Sequence, residues 1–140
     1  MTDLHSILAT HNLKRKASSE EETKSHYSDV KPQFSQIPNV FFDDILVNYK
    51  LNRIELSVLL FLYRQVWCRP NLYQEYGLTQ IMSYTQISNF LSCSMDEVYQ
   101  ALMKLEKFYF IETIRSGQYF VRKYFTPEMD EYYGMTYDDF

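Results

Sequence analysis

The 140-residue sequence predicts a mainly α fold closed by a small β-hairpin, an α+β class, on three observations. Three stretches carry apolar residues at helical spacing, each opened by a residue suited to cap a helix. Two of these stretches are separated by only a few residues. After the last, the pattern changes to that of strands, and a Ser-Gly pair divides two β-rich runs.

Asn52 and Glu55 have capping-box spacing, and Ile54, Val58, Leu59, Leu62 and Val66 then recur at helical intervals as far as Cys68. Pro70 stops that run. Arg69 to Gly77 reads as a loop and Leu78 to Met82 as a brief strand. Ser83 caps a second helix, whose buried stripe is expected to be Ile87, Phe90 and Leu91. Ser92 and Cys93 make a turn. Ser94 with Glu97 repeats the capping box and opens a third helix, with Val98, Ala101, Leu102, Leu105 and Phe108 on one face. Two helices joined so tightly outline a helix-turn-helix. Phe110 to Arg115 and Gln118 to Phe125, divided by Ser116-Gly117, then form the hairpin. The order is that of a winged helix-turn-helix, with the hairpin as its wing.

Charge divides the chain into three. Residues 1–36 hold five basic and five acidic residues, 37–126 nine and eight, and 127–140 none and five, so the segments carry 0, +1 and −5. The first is polar, with Lys14, Arg15 and Lys16 followed by Glu20, Glu21 and Glu22, and is expected to be a disordered N-terminal arm. Leu4, Ile7 and Leu8 have the spacing of an amphipathic turn that a partner's apolar surface would order. Residues 37–126 are expected to be the folded domain, and 127–140 an acidic aromatic C-terminal tail able to dock on a partner or on the protein's own DNA face.

With 46% hydrophobic residues, 3 Gly and 4 Pro, the chain can bury one core, and 17% aromatics exclude a wholly disordered polymer. A net charge of −4 excludes coating of nucleic acid by charge alone, so a nucleic-acid site must be local. Cys68 and Cys93 are too few for a disulfide scaffold, which points to a reducing, cytoplasmic setting. The apolar run Leu56 to Tyr63 falls far short of the roughly 18 residues of a membrane span, and no leader pattern opens the sequence. A soluble protein is expected.

Three blocks in order carry a resemblance: Ile37-Pro38-Asn39-Val40-Phe41-Phe42-Asp43-Asp44; Leu59-Leu60-Phe61-Leu62-Tyr63-Arg64-Gln65-Val66-Trp67; and Ser94, Val98, Ala101-Leu102 and Leu105-Glu106. Over residues 37–125 the chain resembles the winged-helix N-terminal domain of phage and plasmid replication proteins, the replication protein O type and its DnaD-like relatives. The resemblance implies binding of double-stranded DNA through the helix from Ser94 and the wing near Gly117, in a replication initiator or a transcriptional regulator. The sequence departs from that pattern at the start of the reading helix. There the pattern is commonly Arg-rich, whereas this chain has Met95, Asp96, Glu97 and Gln100. Two carboxylates suit a helix N-terminus but would face the phosphate backbone.

The candidate DNA contacts are therefore scattered. Gln100, Lys104 and Lys107 lie opposite the apolar stripe of the third helix, and Ser94 opens it. Tyr84, Thr85 and Gln86 form the first turn of the second helix, where neutral side chains and amides grip phosphate. Arg115, Arg122 and Lys123 flank the hairpin turn. Tyr109, Tyr119, Phe120, Tyr124 and Phe125 have the composition of a stacking platform for single strands, though hairpin aromatics more commonly pack on the helices. Trp67 reads as structural. A homodimer is expected if the protein reads DNA, because one small module buries little surface.

No catalytic constellation is visible. His5, His11 and His26 all lie in the arm, and Gly77, Gly117 and Gly134 cannot build a phosphate loop. The protein is not expected to be an enzyme, and no cofactor or metal is expected. The competing reading is an adaptor that uses its near-neutral surface and two tails to dock protein partners without DNA.

Overall fold

The computed structural model describes residues 31–139. The chain divides after Phe34 into two units. Residues 31–34 of the first form no helix or strand, and the arm expected over 1–36 lies outside the described residues as far as position 30. The second unit is mainly helical with a small antiparallel sheet.

The second unit opens with α1, a π-helical turn, Phe41–Ile45, that runs into one α-helical turn, Leu46–Asn48. No side chain caps α1; burial of Phe41 and Ile45 holds it in place. α2 spans Arg53–Tyr63 and continues as a π-helical turn, Arg64–Cys68. Its start is the expected capping box: Glu55 N donates to Asn52 Oδ1 at 2.8 Å and Asn52 N to Glu55 Oε1 at 2.9 Å. Val58, Leu59, Leu62 and Val66 are fully buried, so the helical spacing read along the chain is the buried face.

α3 spans Tyr84–Leu91 and α4 spans Met95–Lys107, each opened by a capping box. The connection between them is short because Ser92 adopts the left-handed conformation, with φ of 54°. Val98, Ala101, Leu102 and Leu105 of α4 pack inward on α2, and α3 packs against both. One expectation fails here. Ile87 is buried, but Phe90 is 60% exposed, because on an eight-residue helix crossing α2 and α4 it reaches only the rim, where it meets Phe61 at 4.8 Å.

The hairpin comprises β1, Ile111–Arg115, and β2, Gln118–Val121, with a register irregularity between Thr113 and Arg115. Residues 77–82 run along the other side of β2: Leu78 bridges Phe120, Thr79 N donates to Tyr119 O at 2.9 Å, and Met82 N to Gly117 O at 2.8 Å. β2 ends at Val121 rather than continuing to Phe125. The chain turns there, with Phe125 at φ 73° and its buried ring stacked on Tyr63 at 4.9 Å. Trp67 is structural, its Nε1 donating to Val121 O at 3.1 Å.

Residues 127–139 do not form a separate tail. Thr126 caps α5, Pro127–Tyr132, accepting from Met129 N, with Pro127 in the first helical turn. Asp130, only 4% exposed, accepts from Arg122 Nη1 at 3.2 Å, Tyr124 N at 3.1 Å and Tyr137 Oη at 2.8 Å. Tyr137 accepts in turn from Lys123 N at 2.8 Å, and its ring meets Phe120 edge-on at 4.7 Å. The expected boundary at 126 is wrong because a buried carboxylate stitches α5 and the residues after it to the hairpin. Among the described residues no helix is long and apolar enough to cross a membrane.

This packing has measurable consequences. Asp130→Ala leaves a half-buried guanidinium and a backbone amide unpartnered, and is expected to lower unfolding free energy by about 3 kcal/mol, read by urea denaturation. Burial pushes the phenols of Tyr63, Tyr119 and Tyr137 well above their ordinary value near 10. A proton held more tightly in the folded state stabilises it fully below the unfolded value. Burial raises the Cys68 and Cys93 thiols from their ordinary value near 9 as well, so melting temperature should hold up to about pH 9 and fall as pH rises beyond it.

Candidate nucleic-acid interface

The outer side of α4, the first turn of α3 and the hairpin turn are neighbours. Tyr84 meets Tyr99 at 6.3 Å and Thr85 Oγ1 lies 3.7 Å from Met95 Sδ, so the start of α3 adjoins the first half of α4. The hairpin turn adjoins residues 81 and 82, immediately before α3, through the Met82–Gly117 hydrogen bond. Seven of the ten expected contacts lie on these three elements, together with Arg115 at the end of β1.

Their states differ. Gln100, Lys104 and Lys107 are exposed on α4, and Lys104 Nζ lies 5.3 Å from the Phe108 ring centre. Tyr84 is half-buried and Thr85 exposed. Gln86 and Ser94 are exposed, but their side chains serve the caps: Gln86 Oε1 accepts from Ser83 N at 2.8 Å, and Ser94 Oγ accepts from Glu97 N at 3.0 Å. Arg115 is exposed.

Arg122 and Lys123 do not join this face. The Arg122 guanidinium donates to Asp130 and to Tyr109 O at 2.9 Å, and it lies over Phe120 at 5.2 Å. Lys123 Nζ lies over Trp67 at 5.6 Å. Both belong to the scaffold that fastens α5 to the hairpin. The aromatics of the suggested stacking platform are dispersed too: Tyr119 and Phe125 are buried and Phe120 is covered by Tyr137, while Tyr109 alone of the five is exposed.

The electrostatics of α4 turn on where its carboxylates point. Glu97 is folded back on its own helix start, Oε1 accepting from Ser94 N at 3.0 Å. Glu106 accepts from Thr113 N at 2.8 Å and from Thr113 Oγ1, which occupies an amide on the open edge of β1. Asp96 makes neither kind of bond and is exposed, beside Glu55 and Gln100 in a shallow groove of about 150 Å³. A larger groove of about 470 Å³, lined by Glu106, Tyr109, Glu112, Phe120 and Arg122, lies along the β1 edge.

One feature of this face escaped the sequence reading. Met95, Tyr99 and Met103 are 50%, 43% and 51% exposed and form a ridge along α4. Their spacing of four residues was a sufficient signal, but the inward stripe of the same helix draws attention away from it. Among the described residues no group of three His, Cys, Asp or Glu side chains is placed to hold a metal ion.

Gly117 fixes the hairpin turn against this face. Its φ is +83°, and a Cβ there would lie 2.5 Å from Met82 O. Gly117→Ala is expected to lower stability by about 1–3 kcal/mol and to speed amide exchange at Met82, whereas unchanged exchange would remove the turn from its anchoring role. No family model, curated protein or solved structure matches the chain.

Proposed function

We propose that the protein is a winged-helix DNA-binding protein, a replication initiator or transcriptional regulator, that sets α4 in the major groove of double-stranded DNA. The first turn of α3 and the wing flank it on the phosphates. The observation that carries this reading is the exposure of Gln100, Lys104 and Lys107 on the outer side of α4, with the first turn of α3 beside it. Glu97 and Glu106 accept from backbone amides, which fixes where they point but not their charge, so α4 carries three carboxylates, Asp96 included, to two lysines. Both carboxylates of that helix start, Asp96 and Glu97, are exposed, and Glu97 alone is held on its cap. Gln100 has the paired donor and acceptor that read adenine, and Tyr99 and Met103 offer apolar contact for thymine methyl groups. The element order and the three sequence blocks support the same assignment.

Fluorescence anisotropy of double-stranded DNA across a salt series tests it. Lys104→Ala with Lys107→Ala should weaken binding and reduce the salt slope by about 2, and Asp96→Asn should strengthen it. Lys123→Gln should leave it unchanged. No binding by the wild-type chain at low salt would overturn the proposal. It would favour the second reading, a protein-recognition module, which the apolar ridge of Met95, Tyr99 and Met103 supports.

A further inference from the structure

The geometry points to a second copy of this chain as the occupant of the outer side of α4. Met95, Tyr99 and Met103 form a ridge at i, i+4 and i+8, each about half exposed, and association buries such a ridge. Charge selects what associates. Asp96 lies in the first turn of α4 and Lys107 in its last, both exposed. Eleven residues of α-helix return to within about 20° of the same direction, so the two stand in one line along the same flank of the ridge.

A helix acidic at one end of a flank and basic at the other is complementary to itself when run antiparallel. Place a two-fold axis between Tyr99 and Met103. Tyr99 of each copy then packs on Met103 of the other, a favourable sulfur–aromatic contact, and Asp96 of each faces Lys107 of the other. Both pairings share one register, since positions 99 and 103 and positions 96 and 107 have midpoints within half a residue of each other. A parallel pair would set Asp96 against Asp96 and Lys107 against Lys107. A uniformly charged partner would be attracted at one end and repelled at the other. Lys104, drawn over Phe108, leaves the flank clear.

Lys107 and Gln100 also belong to the DNA face, so dimer and DNA complex exclude each other and the dimer is the DNA-free form. That exclusion rests on the DNA reading; the association does not.

Sedimentation equilibrium on the full chain, without DNA and at low salt, tests it. The mass should rise from 16.9 kDa toward twice that value as concentration approaches about 1 mM. Asp96→Lys and Lys107→Glu each set like charges opposite one another and should weaken association by about tenfold or more. An equimolar mixture of the two variants again sets opposite charges face to face and should associate like the wild type. Tyr99→Ser should weaken association, and mixing should not rescue it. A wild-type chain that stays monomeric throughout, or a charge-variant mixture that associates no better than either variant alone, would overturn the proposal. DNA affinity does not enter the readout, so the DNA reading and the dimer fail separately.

Discussion

The buried carboxylate of Asp130 is the constraint on which the second half of the fold depends. It is 4% exposed and takes hydrogen bonds from a guanidinium, a phenol and a backbone amide, enough to satisfy a charge removed from water. Each donor comes from a different place: Arg122 just after β2, Tyr124 in the turn, and Tyr137 beyond α5. One side chain therefore fixes the exit of the hairpin, the position of α5 and the strap that covers Phe120. It also withdraws Arg122 from the surface and, through Tyr137, engages the Lys123 amide. The basic residues that follow β2 are held in this scaffold, and the exposed polar side chains are left to the outer side of α4.

There α4 serves two neighbourhoods. Its inner stripe closes the core against α2, while its outer side carries Gln100, Lys104, Lys107 and an apolar ridge. Hydrogen bonds to amides fix the direction of two of its carboxylates. A carboxylate that accepts from a backbone amide keeps its charge and loses its freedom of direction, and two of those on α4 are so engaged. With Asp96, α4 carries three carboxylates to two lysines, and the lysines sit toward its last turn.

The three capped helices and the hairpin were legible in the sequence because their determinants are local. Asn52 with Glu55, Ser83, and Ser94 with Glu97 act within one turn, and Ser116-Gly117 acts within two residues. α1 was not legible because it has no capping side chain and forms by burying Phe41 and Ile45. α5 did carry local signals, Thr126 at its cap and Pro127 behind it, but an excess of acidic residues reads as a solvated tail. Only the fold shows that Asp130 meets Arg122. On the outer side of α4 and the first turn of α3, sequence spacing identified which polar residues face away from the core. It could not show that Arg122 and Lys123 are held by Asp130, Tyr109 and Trp67, because that depends on contacts across the chain.

On the proposed reading, one side of the molecule, α4 with the start of α3 and the hairpin turn, meets DNA while the region tied to Asp130 does not. Backbone amide shifts recorded during titration with a short DNA duplex test this division most directly. Changes are predicted to concentrate at positions 84–86, 94–107 and 115–117, with positions 122–139 unmoved. Changes centred on 122–139 instead would contradict it.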